Sequence, residues 1–259
     1  MSAPAVGLAP KWALELDKVA KGFGSKAAVA GLNLRLEAGQ FYALLGANGA
    51  GKTTTLRMIA GLLQPDAGNI RVFGHDLARE PMAAKQQLAF LPDEPMLYGK
   101  LRCTEYLEFV AGLWGVDGRT AERKGEALLR WLDLWDARAN YCENLSRGMQ
   151  QKLTLAGALI HEPKLLILDE PLTGLDAAAA RKVKDFLAGL VRDGLTVLFT
   201  THILEVAERM ASRIGLIRAG QLIAEGTLDE LRQQYGNVHD TLEDLFLSAT
   251  GAGADTGPP

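Results

Sequence analysis

The sequence is poor in cysteine, in long apolar runs and in excess charge of either sign. Its only cysteines are Cys103 and Cys142, which lack CxxC-type spacing, so we expect two small buried or half-buried thiols in a reducing compartment. No uninterrupted apolar stretch reaches the ~18 residues of a membrane-spanning helix, so no span is expected. The formal net charge is −3, so no overall positive field favours a nucleic acid partner.

A secretory signal and a metal-binding pattern of histidines are also missing. The amino terminus, Met1 to Pro10, has neither the basic start nor the apolar run of a secretory signal, so we expect a cytoplasmic protein.

With 259 residues, 48% of them hydrophobic and 23% charged, the chain can build a core as one large domain or two small ones. Residues 249–259 are too small and polar to order themselves, which predicts a flexible tail. Four histidines are scattered without metal-ligand spacing: His75, His161, His202 and His239.

A glycine-rich stretch is the strongest positive signal. It follows the apolar run Phe41–Leu45 and leads into the apolar positions of residues 56–60, which predicts a strand, a loop and a helix. Loop amides and the helix dipole would hold phosphate oxygens, with Lys52 on the β- and γ-phosphates and the Thr53 hydroxyl on Mg²⁺. In a chain of this length, a chance match to the pattern Gly-x4-Gly-Lys-Ser/Thr is on the order of one in a hundred. The alternative interpretation is a glycine-rich helix start that binds nothing. The stretch is Gly46, Ala47, Asn48, Gly49, Ala50, Gly51, Lys52, Thr53 and Thr54.

Two further strand ends carry polar residues. The aliphatic run Leu165–Leu168 is typical of a central parallel strand, and Asp169 and Glu170 follow it at the end where open α/β sheets bind ligands. In a P-loop protein Asp169 would hold Mg²⁺, usually through water, and Glu170 could polarise an attacking water. The strand Leu195–Thr200 leads to His202. A lone histidine is more often structural, but here it becomes a candidate contact for the γ-phosphate.

The amino-terminal segments predict half-buried strands. Apolar and polar residues alternate over Trp12–Val19 and again over Leu32–Leu36. Between them we expect a turn over Lys21–Gly24 that exposes Phe23. An aromatic residue in such a turn is either incidental or stacks on a nucleotide base.

The middle of the chain changes character. Apolar residues recur at helical spacing from Thr104 to Leu134, which predicts a helical subdomain at about residues 93–160, inserted into an α/β core. Near its end, Ser146 is a natural N-cap, and Gly148 lets a ligand approach the backbone. This is either a plain capped helix or a second anion-binding helix terminus. Later, residues 214–217 and 222–224 predict a hairpin around Ala219-Gly220.

Together these motifs resemble the nucleotide-binding subunit of ATP-binding cassette (ABC) transporters, from Trp12 to about Leu247. The resemblance implies an α/β P-loop NTPase with a mixed sheet core, an antiparallel β subdomain and an inserted helical signature subdomain, all within residues 1–248. It also implies that Phe23 is the base-stacking aromatic. The matching motifs are Gly46–Thr54 (P-loop), Leu145–Gln150 (signature), Ile167–Pro171 (second nucleotide motif), Leu175–Asp176 (D-loop) and His202 (switch histidine).

The family mechanism that follows from the resemblance needs two chains. Each ATP would lie between one P-loop and the other chain's signature, so Ser146 and Gly148 would contact a partner's nucleotide. Asp176, in the D-loop, is a further candidate for nucleotide binding. Glu170 would act as base and His202 would contact the γ-phosphate. The implied cofactors are ATP and Mg²⁺. The implied partners are a second ABC subunit, such as another copy of the chain, and an integral membrane permease at the cytoplasmic face of the cell membrane; nucleic acid is not expected.

The chain departs from the family pattern at three positions. Arg147 and Met149 replace the usual glycine and glutamine of the signature, which is similar to the branch that exports drugs, ions, lipids or polysaccharides. Asp93 stands where glutamine is common, and we expect its carboxylate to keep a metal-side role. Two rival interpretations remain. A non-transport cassette ATPase of translation or DNA repair would tend to carry paired cassettes or long coiled coils, and a P-loop kinase would not need Ser146 and Gly148.

Overall fold

The computed structural model describes residues 11–237 and 240–250, which form two β-sheets and the helices that connect their strands. Residues 1–10, 238–239 and 251–259 lie outside this part, and so do the predictions made for the amino terminus, for His239 and for the tail beyond residue 250. The strands are β1 (Trp12–Phe23), β2 (Lys26–Glu37), β3 (Phe41–Leu45), β4 (Ala67–Val72), β5 (His75–Asp76), β6 (Leu88–Leu91), β7 (Leu165–Asp169), β8 (Thr196–Thr200), β9 (Arg213–Arg218) and β10 (Gln221–Gly226). The helices are α1 (Lys52–Ile59), α2 (Pro81–Gln86), α3 (Cys103–Leu113), α4 (Gly118–Trp131), α5 (Arg147–Leu159), α6 (Ala177–Arg192), α7 (Leu204–Met210), α8 (Leu228–Tyr235) and α9 (Leu242–Thr250).

The central sheet is mixed and aligns the strand ends that the sequence marks. Its order is β10-β9-β3-β8-β7-β6, with parallel pairing from β9 through β6 and an antiparallel β9-β10 hairpin at one edge. The carboxyl ends of β3, β7 and β8 therefore meet at one edge of the sheet. A second, antiparallel sheet has the order β2-β1-β4-β5.

Alternating side chains on the central strands fill two cores. On β3, Phe41 and Leu45 pack with the helices of the inserted subdomain, whereas Tyr42 and Leu44 pack with α1 and the antiparallel sheet. Strand β7 divides its side chains in the same way. Because both faces are covered, these strands are uniformly apolar, as parallel strands usually are.

The helical subdomain lies between β6 and β7. The single helical pattern over Thr104–Leu134 is resolved into α3 and α4, which a turn at Gly115 (φ 71°) separates. Helix α5 completes the subdomain. Cys103 and Cys142 are both buried there, as predicted. Within the described ranges, no helix is long and apolar enough to cross a membrane.

Two predicted boundaries are wrong. The turn expected over Lys21–Gly24 lies later: β1 continues through Phe23, which pairs with Lys26, so the turn is formed by Gly24 (φ 58°) and Ser25. Strand pairing with β2 overrides the local glycine signal. Helix α9 also continues to Thr250, so the expected tail does not begin at residue 249.

Candidate nucleotide site

The glycine loop runs from Gly46 to Gly51, between β3 and α1, and two of its glycines are required by close contacts. A Cβ atom on Gly46 would lie 2.4 Å from the carbonyl oxygen of Ile217, and one on Gly51 would lie 2.4 Å from that of Ala28. Gly51 also has a φ of 106°, which side-chain-bearing residues rarely adopt. Helix α1 starts without a side-chain cap, so its first amides are left for a ligand.

Lys52 points back into this loop. Its Nζ donates hydrogen bonds to the carbonyl oxygens of Gly46 (2.6 Å) and Ala47 (3.2 Å), and the residue is only 8% exposed. Burial lowers the pKa of the Lys52 ammonium, while the charges of Glu170 and Asp169 oppose that shift. A triphosphate in the loop would favour the charged amine in the same way, so binding of the anion and protonation of Lys52 support each other.

The loop opens into a cavity of about 910 Å³. Phe23 is 55% exposed and contributes to its wall. Predicted site residues that line the cavity are Phe23, Asn48, Gly49, Gly51, Lys52, Thr53, Thr54, Asp93, Asp169 and Glu170. Lining residues that the sequence did not single out are Lys26, Ala28, Arg57, Phe90, Pro92, Glu94 and Met96.

The two acids at the end of β7 have different surroundings. Asp169 is 4% exposed, and its Oδ1 accepts a hydrogen bond from the Thr200 hydroxyl at 2.6 Å. Glu170 has a φ of 51°, and its N–H donates to the same hydroxyl oxygen at 3.2 Å. Thr200 stands beside Asp169 in the parallel pairing of β7 and β8. Thr200 therefore hydrogen-bonds to the carboxylate of Asp169 and to the backbone of Glu170.

His202 lies against Glu170. Its Nδ1 is 2.9 Å from Oε2 of Glu170, and the histidine side chain is 61% exposed whereas the glutamate side chain is 18% exposed. His202 does not line the cavity itself. Glu170 therefore lies in the cavity wall and His202 lies at the surface beside it, where the imidazole can contact a ligand or a neighbouring chain.

The oxygen donors beside Lys52 fit a magnesium ion bound together with a nucleotide. The carboxylates of Asp169 and Asp93 and the hydroxyl of Thr53 line one cavity. No group of three or more His, Cys, Asp or Glu side chains suited to a metal occurs in the part of the chain that the structure describes. Mg²⁺ in nucleotide sites needs only one or two carboxylates because phosphate oxygens and water complete its shell.

The signature residues lie elsewhere on the chain. The Ser146 hydroxyl accepts the N–H of Met149 at 3.3 Å and caps α5, but neither Ser146 nor Gly148 lines the cavity. A Cβ on Gly148 would lie 3.3 Å from Leu175, so the signature packs on the loop before α6. Asp176 caps α6 by accepting the N–H of Ala179 at 2.7 Å and is also outside the cavity.

The carboxyl-terminal hairpin completes the glycine loop. The N–H of Gly220, at the β9-β10 turn, donates to the carbonyl oxygen of Ala50 at 2.9 Å, and the N–H of Ala30 donates to that of Gly220, also at 2.9 Å. A Cβ on Gly220 would lie 2.6 Å from the Cα of Val29. The turn thus joins the loop to β2.

Sequence reasoning missed Thr200 and the support from Gly220. Thr200 carried a usable signal, because it is a polar residue that ends an apolar strand next to the acid-bearing strand. Gly220 was placed in a turn, but a pattern of turn residues does not say which loop the turn contacts.

Comparisons with known proteins agree on one family. The ABC transporter family model matches residues 29–173. The daunorubicin resistance ATP-binding protein DrrA3 of Streptomyces coeruleorubidus is 40% identical over 242 residues, which are 93% of this chain and 76% of that protein. The linearmycin resistance ATP-binding protein LnrL of Bacillus subtilis is 35% identical over 91% of this chain and 75% of its own.

Solved structures agree as well. An ATP-binding subunit of an ABC transporter superposes with a TM-score of 0.86 at 33% identity, over 92% of this chain and 99% of that one. A dimeric ATP-binding cassette in a post-hydrolysis state, bound to ADP and phosphate, has a TM-score of 0.76 at 25% identity, over 83% of this chain and 98% of that one.

Proposed function

Since the chain belongs to the ABC transporter family as an ATP-binding subunit that hydrolyses ATP, we propose that it works as a head-to-tail pair that powers export through a separate integral membrane subunit, from the cytoplasmic face of the membrane. The observation that carries the hydrolytic site is the contact between Glu170 and His202 beside the cavity that Lys52 and Asp169 line. This contact supports Glu170 as the base, with His202 as its neighbouring imidazole and Lys52 as part of the phosphate cradle.

Different residues of the chain bind different parts of ATP. The loop amides and the Lys52 ammonium hold the β- and γ-phosphates, while Phe23 stacks on the base. Glu170 takes a proton from the attacking water, and His202 fixes the carboxylate and reaches the γ-phosphate. Positioning and charge neutralisation carry most of the barrier reduction in phosphoryl transfer.

Mg²⁺ is proposed as the cofactor. Thr53, Asp169 and Asp93, which line the same cavity, would hold it. The ion would supply positive charge to the phosphate oxygens.

Head-to-tail pairing is proposed because the signature lies away from the chain's own cavity. Ser146 and Gly148 occupy the start of α5, outside the wall that Lys52 lines. A second copy can bring them, together with Asp176, to the open side of the nucleotide. The solved relative in the ADP and phosphate state is a dimer, which supports this arrangement.

The substitution Glu170→Gln tests the hydrolytic assignment. Glutamine keeps the shape of the side chain but cannot accept a proton, so we expect ATP turnover to fall about 10²-fold to 10⁴-fold while ATP binding is kept. ATP should then hold the purified protein as a dimer, measured by size-exclusion chromatography with light scattering. Glu37→Gln, on the exposed Lys11 pair, is the matched control. Unchanged turnover in Glu170→Gln would remove Glu170 from the base position.

Export is proposed from the relatives. Two are resistance ATP-binding proteins for daunorubicin and linearmycin, and another is a Nod factor export ATP-binding protein of Paraburkholderia xenovorans. These names do not favour the non-transport alternative. The test is affinity purification of the chain from detergent-solubilised membranes. Recovery with a stoichiometric integral membrane protein supports transport, whereas recovery only on ribosomes or DNA contradicts it.

A further inference from the structure

We propose that Asp66 is a positioning residue for the nucleotide base, because it holds the end of β1 that carries Phe23. The inference rests on the proposed stacking of Phe23 on the base of ATP. It concerns a residue between α1 and β4 that belongs to none of the nucleotide motifs.

Asp66 binds three consecutive residues of β1. Its Oδ2 accepts the N–H of Gly22 at 2.8 Å, and its Oδ1 accepts a hydrogen bond from the Lys21 ammonium at 2.5 Å. Its own N–H donates to the carbonyl oxygen of Ala20 at 2.8 Å. The carboxylate is therefore fixed against the two residues that precede Phe23.

These hydrogen bonds take the place of pairing with β4, which ends before Lys21. Ala67 pairs with Ala20 at the last register position of the β1-β4 ladder, so β4 offers no backbone partner to the residues of β1 beyond it. The Asp66 carboxylate provides the acceptor for Gly22 on that side. On the other side, β2 pairs with Gly22 and Phe23 until the turn at Gly24. Without Asp66, the end of β1 would be held from one side only.

Phe23 has little else to fix it. The residue is 55% exposed and is followed by the Gly24-Ser25 turn. The Lys21 ammonium lies over the ring at 5.9 Å from its centroid, within the range of a cation–π contact. Because Asp66 binds that ammonium, it fixes the side-chain neighbour of the ring as well as the backbone beneath it.

The charge state of Asp66 suits this task. Hydrogen bonds from Lys21 and from the Gly22 amide lower the pKa of its carboxyl group, so it is ionised at neutral pH. Asp66 does not line the cavity, whereas Lys52, the proposed phosphate contact, does. Its effect should therefore be confined to ligands that contain a base.

The test compares the binding of ATP and inorganic tripolyphosphate by isothermal titration calorimetry. We expect Asp66→Ala to weaken ATP binding about fivefold, in keeping with the loss of hydrogen bonds to a charged group, and to leave tripolyphosphate binding unchanged. Asp66→Asn, whose amide oxygen can still accept the Gly22 N–H, should fall between Asp66→Ala and the wild type. Asp229→Ala is the matched control, since Asp229 is 86% exposed and pairs with Arg232 on α8.

A double-mutant cycle with Phe23→Ala separates the possible failures. If Asp66 acts through the ring, Asp66→Ala should add no further loss of ATP affinity in the Phe23→Ala background. An ATP affinity in Asp66→Ala equal to that of the wild type, or an equal loss of ATP and tripolyphosphate, overturns the positioning role. If Phe23→Ala itself binds ATP as tightly as the wild type, the proposed stacking by Phe23 is wrong and the inference falls with it.

Discussion

Thr200 connects the two acids through one hydroxyl group. The side chain is fully buried, donates to Asp169 and accepts the N–H of Glu170. A buried carboxylate without this donor would lose part of the hydrogen bonding that offsets its burial. The positions of the Asp169 carboxylate and the Glu170 backbone therefore depend on a buried hydroxyl group that does not line the cavity.

The substitution Thr200→Val removes the hydroxyl and keeps the shape of the side chain. We expect the ATP turnover number to fall about tenfold and the free energy of unfolding to fall by about 1–3 kcal/mol, because Asp169 loses a buried donor. The control is Thr196→Val at the other end of β8, where the hydroxyl is equally buried and accepts the N–H of Gly39. Steady-state ATPase assays and urea unfolding measure both. Equal turnover in the two variants would contradict a role for Thr200 in the site.

The residues of the site were predictable where their chemistry is local. Lys52 and Thr53 follow a loop pattern, and Asp169 and Glu170 follow an apolar run, so a single stretch reveals each pair. Met96 and Arg57 line the same cavity from segments whose own patterns are ordinary. Only the fold brings them there, and no short pattern encodes that.

At the scale of elements, His161 joins the helical subdomain to the central sheet. It follows α5, stacks on Trp114 with ring centroids 4.0 Å apart, and its Nε2 lies 3.2 Å from the carbonyl oxygen of Leu88 on β6. Its Nδ1 is buried and has no hydrogen-bond partner among the described residues. The geometry suits the neutral imidazole, in which Nε2–H donates and Nδ1 carries no proton.

This contact predicts a dependence of stability on pH. Burial lowers the pKa of His161, the Leu88 carbonyl opposes the shift, and the charge of Lys124 adds to it. Since the pKa is lower in the folded state, the unfolded chain takes up the proton first as pH falls below about 6.5, and the free energy of unfolding decreases until the folded pKa is passed. His161→Phe keeps the stacking on Trp114 and should flatten the change between pH 7.5 and pH 5.5.

Urea unfolding at both pH values measures the effect, and His75→Phe, which removes a half-exposed histidine, is the control. An unchanged pH slope in His161→Phe would show that other groups cause the acid sensitivity.

Elements were predicted well where the pattern and the tertiary contacts agree. Strands β3 and β7 and the Ser146 cap of α5 lie where the sequence placed them, because burial and capping act over a few residues. The turn after β1 was misplaced, since pairing with β2 decided its position. In that segment, long-range strand pairing outweighed the preference of Gly22 for a turn.

At the scale of the whole molecule, head-to-tail pairing makes a prediction about mixtures. In the proposed arrangement, Lys52→Ala removes the phosphate contact of the cradle and Gly148→Asp blocks the signature, so each protein alone should lack ATP hydrolysis. If each nucleotide contacts the cradle of one chain and the signature of the other, a mixed dimer has both substitutions in one nucleotide site and neither substitution in the other site. We therefore expect mixing the two inactive proteins to restore ATPase activity.

The measurement is the ATPase rate of an equimolar mixture, against each variant alone and against Lys52→Ala mixed with Lys52→Arg. The second mixture has a changed cradle in every site and should stay inactive. Failure of the first mixture to exceed the second would indicate that the cradle and signature of one chain serve the same nucleotide.

The contact of Gly220 with Ala50 also orders events during synthesis. The glycine loop precedes α1 and leaves the ribosome well before the turn that holds its backbone, which joins β9 to β10. A nascent chain that ends before this turn has the cradle sequence but lacks the hydrogen bond that anchors it, and the close packing of Ile217 on Gly46 is missing as well. ATP binding by a nascent chain is therefore expected only after β9 and β10 have been made and have folded onto the glycine loop.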